Sequence, residues 1–82
     1  MTRLDQVEID CLAEISEVQA HSLKPKLTDM GLYPGKKVRV LFRAPLGDPI
    51  AVDVEGYTLS LRLDEAALIQ VTPIESSREK TP

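Results

Sequence analysis

Residues 36–63, KKVRVLFRAPLGDPIAVDVEGYTLSLRL, contain the strongest pattern for the fold. Apolar and polar residues alternate along three runs of this stretch, as they do in strands that bury one face. The residues expected on the buried faces are Val38, Val40 and Phe42, then Ile50, Val52 and Val54, and then Leu59, Leu61 and Leu63. A loop rich in proline and glycine, residues 44–49, follows the first run, and a reversal at Gly56-Tyr57 joins the other two. The stretch therefore predicts three strands, the last two paired as a hairpin.

A short helix is expected just before this stretch, over residues 22–32. Its apolar stripe, spaced to face a core, consists of Leu23, Leu27 and Met30. Ser22 is the expected N-cap, and Gly31 supplies the left-handed conformation that ends many helices. Leu32 would then fold back onto the helix.

Three further elements are expected outside the helix and the hairpin. Residues 11–18 alternate in part and lack glycine and proline, so they predict a strand in which Cys11 is a small core residue. Residues 64–67 suit a single helical turn, and residues 68–74 predict the last strand.

The two ends of the chain are less regular. Near the beginning, Thr2 with Asp5 would cap one helical turn, and Leu4 and Val7 would pack against the body of the domain. Residues 76–82 are polar and are expected to form a disordered tail.

The fold class follows from this order of elements. We expect a mainly β fold, a small five-stranded SH3-like barrel with one short helix after the first strand and a helical turn before the last. An OB-like barrel is the alternative, but its helix usually falls between the third and fourth strands. Residues 1–75 would form this single domain.

Composition limits the possible functions. The chain has 82 residues, of which 43% are hydrophobic, and no apolar run reaches the ~20 residues that a membrane-spanning helix needs. It contains one cysteine, and no signal peptide is recognisable, so we expect a reduced, cytoplasmic compartment and no direct membrane insertion. A core of this size supplies only a small free energy of folding, and a deep catalytic cleft would reduce it further. The small size therefore favours a binding or regulatory module over an enzyme.

Charge is unevenly distributed along the chain. Residues 24–43 carry six cations and one acid, whereas residues 44–75 carry six acids and one cation, Arg62. Such a division either steers a charged partner or simply reflects solvated outer faces.

Several motifs together resemble one known family. They are LTDMGLYPG at residues 27–35, VRV at 38–40, APLGDP at 44–49, GYTLSLR at 56–62, EA at 65–66 and IQV at 69–71. In this order the motifs resemble the FeoA family, ferrous iron transport protein A, over about residues 4–74.

The resemblance implies both a fold and a function. It implies an SH3-like barrel, and a cytoplasmic accessory that regulates a FeoB-type permease, a ferrous-iron importer with a cytosolic GTPase domain. A similar domain occurs at the C-terminus of iron- and manganese-dependent repressors. Since these 82 residues have no room for the other domains of such a repressor, the transport accessory is favoured over a stand-alone repressor-like regulatory domain.

The residues themselves predict neither a metal site nor a catalytic site. The chain has one histidine, His21, and one cysteine, and no His/Cys/Asp/Glu cluster has ligand spacing, so we expect no metal site and no cofactor. Ser60 lacks an adjacent base. Arg43 and Arg62 are candidates for an arginine that acts on a partner's GTPase site, although Arg62 could equally pair with Asp64 or Glu65.

Apolar residues on the turns are the candidate protein-binding residues. If Leu32, Tyr33, Leu46 and Tyr57 are exposed together they form a recognition patch, and otherwise they plug the ends of the barrel. The full candidate set is Leu32, Tyr33, Pro34, Pro45, Leu46, Gly47, Tyr57 and Arg62.

Two other kinds of partner remain as alternatives. Small barrels often bind nucleic acid, and residues 36–43 are rich in cations, but the pI is about 5.0 and Phe42 is expected to point into the core. We therefore expect no nucleic-acid partner. Open strand edges would allow a homo-oligomer.

Overall fold

The computed structural model describes residues 2–75. The elements are β1 (Thr2–Arg3), a 3₁₀ turn (Leu4–Gln6), β2 (Leu12–Val18), α1 (Lys24–Asp29), β3 (Lys37–Arg43), β4 (Ile50–Val54), β5 (Tyr57–Leu61), α2 (Leu63–Ala66) and β6 (Ile69–Glu75). The predicted tail at residues 76–82 lies outside the described residues.

Six strands form one antiparallel sheet within residues 2–75, in the order β1-β6-β2-β3-β4-β5. All five predicted strands are present, and β1 is an additional strand of two residues that pairs with β6. No pairing joins β5 to β1 in the described part of the chain, so the sheet is an open barrel. Neither helix within residues 2–75 is long and apolar enough to cross a membrane.

One apolar core lies inside this sheet. Its fully buried residues of largest volume are Leu4, Ile15, Leu27, Leu32, Ile50, Leu61, Ile69, Val38, Val40, Val52 and Val54. Each described element except β1 supplies at least one buried residue, so the core depends on long-range pairing. Cys11 is half-buried and packs against this core.

The hairpin turn lies one residue earlier than predicted. Glu55 and Gly56 form a two-residue turn with positive φ angles of 48° and 115°, and Tyr57 already belongs to β5. Positive φ at both central residues matches the right-handed twist of the two strands, which is why this kind of turn is favoured in hairpins. The turn places Val54 opposite Tyr57.

The prediction that Phe42 belongs to the core is wrong. The β3–β4 register shifts between Val40 and Phe42, so that Val40 pairs with Val52 but Phe42 pairs with Ala51. Leu41 is the extra residue of a β-bulge, which reverses the alternation of side chains after it. Phe42 is therefore 60% exposed on the outer face.

Helix α1 is shorter than predicted and is capped differently. It begins at Lys24 without a side-chain cap, so Ser22 is not the N-cap. Instead, Nδ1 of His21 accepts a hydrogen bond from the N–H of Leu23 at 3.0 Å. Gly31 ends the helix as expected, with a φ of 91°.

The lead-in segment, residues 2–7, is also capped by a different side chain from the predicted one. Thr2 lies in β1, and the side-chain oxygen of Gln6, rather than Thr2 or Asp5, accepts the N–H of Arg3 at 3.0 Å. Leu4 and Val7 are buried in the core, as predicted.

Candidate functional site

The loop between β3 and β4 presents the most exposed large apolar side chain of the described residues. Leu46 is 96% exposed. The loop is closed by two hydrogen bonds, from the N–H of Ala44 to the carbonyl of Pro49 at 2.9 Å and from the N–H of Gly47 to the carbonyl of Ala44 at 2.7 Å. The exposed leucine therefore lies on a well-defined turn.

Arg62 lies near this loop, because β5 ends beside the start of β4. Leu61 pairs with Ile50, and an oxygen of the Asp48 carboxylate accepts the N–H of Leu63 at 3.0 Å. The guanidinium of Arg62 is exposed and has no ion-pair or hydrogen-bond partner among residues 2–75. We call Pro45, Leu46, Gly47 and Arg62 the loop end of the molecule.

Tyr33, Pro34 and Tyr57 form a second group, which we call the turn end. Tyr33 is 41% exposed and Tyr57 is 47% exposed. The Tyr57 hydroxyl donates a 2.8 Å hydrogen bond to the carbonyl of Met30, and the ammonium of Lys36 lies 5.3 Å from the centre of the Tyr33 ring. Both tyrosines are thus held by contacts within the chain.

An ion pair stabilises the turn end. Glu55 accepts hydrogen bonds from the backbone N–H of Lys37 at 3.1 Å and from the ammonium of Lys36 at 3.2 Å. These two contacts lower the pKa of Glu55, the backbone bond contributing most, and the hydrogen bond to Glu55 raises the pKa of Lys36.

The structure does not bring the candidate binding residues together on one patch. Strand β4 is five residues long and separates the loop end from the turn end by about 15 Å. Leu32 belongs to neither end: it is completely buried, and its N–H donates to the carbonyl of Leu27 at 2.9 Å. Of the two alternatives, Leu32 plugs the barrel, whereas Tyr33, Leu46 and Tyr57 are exposed.

Arg43 is occupied by a structural role. Its guanidinium donates to the carbonyls of Asp5 at 3.3 Å and Val7 at 2.8 Å, and so fastens the lead-in segment to β3. The reversal of side chains after the bulge turns Arg43 toward that segment. Of the two candidate arginines, Arg62 is the one whose guanidinium makes no hydrogen bond or ion pair within residues 2–75, although its charge acts on the Glu65 carboxylate.

A buried carboxylate connects the two helices. Glu65 is 7% exposed; one oxygen accepts the backbone N–H of Arg62 at 3.0 Å and the other accepts the ammonium of Lys26 at 3.2 Å. The bond from Arg62 is the main cause that lowers the pKa of Glu65, although burial acts in the opposite direction. The carboxylate thus ties α1 to the start of α2.

Sequence reasoning missed an apolar groove on the outer face of β3, β4 and β5. Phe42, Ala51 and Ser60 are register partners across the three strands, and Leu59 and Thr58 also line the groove. The large ring beside two small residues creates the depression. Its only sequence signal was the aromatic residue itself, since the bulge that exposes it leaves no local pattern. The exposure of Phe42 also removes one argument against a nucleic-acid partner.

No group of three or more His, Cys, Asp or Glu side chains within residues 2–75 is placed to hold a metal ion. His21 uses Nδ1 to accept the N–H of Leu23.

The family-model comparison identifies the fold family. The model of the FeoA domain matches residues 2–73. This chain belongs to the FeoA family. The FeoA-like protein of Clostridium acetobutylicum, solved by NMR, is 36% identical and superposes with a TM-score of 0.83, covering 93% of each chain.

Two further FeoA relatives inform the fold and the function. The zinc complex of Stenotrophomonas maltophilia FeoA, described as a procaryotic SH3 domain protein, is 26% identical, with a TM-score of 0.77, covering 88% of this chain and 91% of that one. It confirms the SH3-like architecture. A fusion of Fe(2+) transport protein A with the Fe(2+) transporter FeoB, from Porphyromonas gingivalis, is 32% identical over 81 residues, or 98% of this chain and 10% of the fusion. The chain thus spans about a tenth of that relative.

Proposed function

We propose that this FeoA chain is a non-enzymatic, cytoplasmic accessory of ferrous iron uptake that binds the cytosolic GTPase region of a FeoB-type permease. The observation that carries the proposal is the Porphyromonas gingivalis fusion, in which a FeoA segment matching 98% of this chain is joined to FeoB. Covalent joining keeps two partners at a high effective concentration, which is useful when they act together.

The loop end is the contact surface that we favour. Leu46 is almost fully exposed, and Arg62 has no side-chain partner within residues 2–75. Removing an exposed leucine side chain from water on binding contributes about 1.5–3 kcal/mol, and arginine is enriched among the residues that contribute most at protein interfaces. At the turn end, by contrast, the Tyr57 hydroxyl and Lys36 are already engaged within the chain.

Calorimetric titration of this chain into the soluble GTPase region of the same organism's permease tests the proposal, with GDP and with a GTP analogue. We expect binding, and expect Leu46→Ala to weaken it about tenfold or more because the buried leucine side chain is lost. Arg62→Glu should also weaken it. Tyr33→Ala is the matched control, since it removes an exposed side chain from the opposite end and should leave the affinity unchanged.

Each outcome of the titration decides one part of the proposal. Absence of binding with either nucleotide would overturn the GTPase region as the partner. Binding that is weakened by Tyr33→Ala but unaffected by Leu46→Ala would move the contact to the turn end. Circular dichroism of each variant establishes that a loss of binding is not a loss of folding.

A further inference from the structure

Strand β5 is an exposed edge that lacks the usual protection. It ends the strand order, and within residues 2–75 no strand lies on its outer side. Natural edges are blunted by lysine, proline, bulges or very short strands. The sequence of β5, YTLSL, contains none of these residues, and its register with β4 is unbroken over five pairs. The opposite edge strand, β1, has only two residues.

The backbone groups left open on β5 belong to two residues. Because the two-residue turn makes Val54 and Tyr57 a hydrogen-bonded pair, the alternate residues Tyr57, Leu59 and Leu61 direct their backbone groups toward β4. Thr58 and Ser60 direct theirs outward. The ladder ends at Arg62, whose N–H donates to Glu65 and whose carbonyl accepts from Glu65 and Ala66.

We propose that this chain self-associates through antiparallel pairing of β5 with β5 of a second copy, about a two-fold axis at Leu59. The open residues Thr58 and Ser60 lie symmetrically on either side of Leu59. In this register, Thr58 of each copy faces Ser60 of the other, and each such pair exchanges two backbone hydrogen bonds. The pairing uses every open backbone group of the strand and stops where the turn and Arg62 begin.

Side chains on both faces fit this arrangement. Leu59 is half-buried and would meet Leu59 of the second copy at the close, non-hydrogen-bonded position. On the outer face, Thr58 of the second copy would lie beside Ser60 and close the open side of the Phe42 groove. Pairing would therefore cover apolar surface that a single copy exposes.

Charge on the outer face also favours a second copy. Asp53 lies opposite Thr58, and Arg62 follows the other end of the strand. Within residues 2–75 neither side chain forms a hydrogen bond or an ion pair, although Arg39 is the register partner of Asp53 on β3 and the Arg62 charge acts on the Glu65 carboxylate. Antiparallel pairing directs Arg62 of each copy across Gly56, which has no side chain to obstruct it, toward Asp53 of the other. Such complementarity sets the register of an isologous contact.

The contact would be small. A ladder of one short strand with a few side chains buries less than the ~1,200 Å² of a standard interface, so we expect a weak dimer that forms between micromolar and millimolar concentrations. The same open edge could instead receive an extended segment of another protein, in which case this chain alone would remain a monomer.

Sedimentation velocity of the purified full chain, from micromolar to millimolar concentration, tests the inference without any other protein. We expect a reversible monomer–dimer equilibrium. Ser60→Pro removes an outward N–H but no bond to β4, so it should weaken the dimer about tenfold or more. Ser60→Ala keeps the backbone donor and should dimerise like the unmodified chain. A monomer throughout, or a dimer unaffected by Ser60→Pro, would overturn the inference.

Exchanging the charges of Asp53 and Arg62 tests the register in which the two β5 strands pair. This test also applies if the Ser60→Pro variant does not fold. Arg62→Glu should raise the dissociation constant of the dimer about fivefold, and the double variant Asp53→Lys/Arg62→Glu should restore it. A double variant no tighter than Arg62→Glu would overturn this register. Since these measurements use this chain alone, their result is independent of the titration with the permease.

Discussion

Gly31 is constrained both by its backbone conformation and by a neighbouring side chain. Its φ of 91° lies in the region that favours glycine, and a Cβ atom there would collide with the hydroxyl of Tyr57. That hydroxyl is the donor to the carbonyl of Met30. The absence of a side chain at residue 31 therefore leaves room for the Tyr57 hydroxyl to reach the end of α1.

Gly31→Ala should therefore destabilise the protein by about 2–3 kcal/mol, from the left-handed backbone and the displaced Tyr57 hydroxyl together. Gly35→Ala is the matched control: its φ is 97°, but nothing surrounds the position, so only the backbone cost of about 1 kcal/mol should appear. Urea unfolding measures both. In a Tyr57→Phe background the cost of Gly31→Ala should fall toward the control value. Equal costs for the two glycines would contradict the collision.

Glu65 makes the stability of the protein depend on pH. Because its pKa is lower in the folded chain, the stabilisation is present above the unfolded-state pKa of about 4.3 and is lost as the pH falls through the folded-state pKa. Glu65→Gln should cost about 1–3 kcal/mol at neutral pH, and this difference should shrink below about pH 4. Asp64→Asn, on the same helical turn but exposed, should cost less than about 0.5 kcal/mol.

Urea unfolding at a series of pH values measures this difference. If the curves for the unmodified chain and Glu65→Gln stay parallel down to about pH 3, the carboxylate does not act through its charge.

At the level of elements, the bulge at Leu41 sets what β3 presents to each side. Before it, Val38 and Val40 are buried; after it, Phe42 faces outward and Arg43 reaches the lead-in segment. One extra residue therefore creates the outer groove and fastens the N-terminal segment. The β4 strand opposite remains regular and continues to bury Ile50 and Val52.

Two alanine substitutions on β3 test this assignment. Val40→Ala should cost about 2–3 kcal/mol, since Val40 is fully buried, whereas Phe42→Ala should cost less than about 1 kcal/mol. If the bulge were absent and Phe42 faced the core, Phe42→Ala would cost about 3–5 kcal/mol, more than Val40→Ala. Chemical denaturation at low micromolar concentration separates stability from self-association. A cost for Phe42→Ala above that of Val40→Ala would place Phe42 in the core.

At the scale of the whole molecule, the exposed features lie on opposite ends and edges of one small barrel. The loop end offers an apolar anchor and a cation, the turn end is internally bonded, and the β5 edge lies between them. Residues 2–75 contain no cluster of three ligating side chains placed to hold a metal ion.

A thermal-shift measurement under anaerobic conditions tests this property. We expect added ferrous iron to leave the melting temperature unchanged. A ligand at about 100 times its Kd would add about 2.7 kcal/mol, which raises the melting temperature of a small domain by about ten degrees or more. Mg²⁺ is the control for general ionic effects. A saturable rise with iron alone would mean that the protein holds the metal.

Features that depend on local chemistry could be predicted from the amino-acid sequence. Alternation along residues 50–55 and 58–63 predicted the hairpin, with its turn one residue late. Gly31 predicted the helix end, and Leu4 and Val7 were recognised as core residues. The motifs from Leu27 onward identified the family. Each of these signals lies within a few residues of the structure that it specifies.

Long-range pairing, in contrast, sets which of these elements face each other and which surfaces remain open. The exposure of Phe42, the burial of Leu32 and the separation of Leu46 from Tyr33 follow from register and strand order. The backbone groups of Thr58 and Ser60 are open because β5 lies at the edge of the sheet. These properties belong to pairings between residues distant in the chain, and no local pattern encodes them.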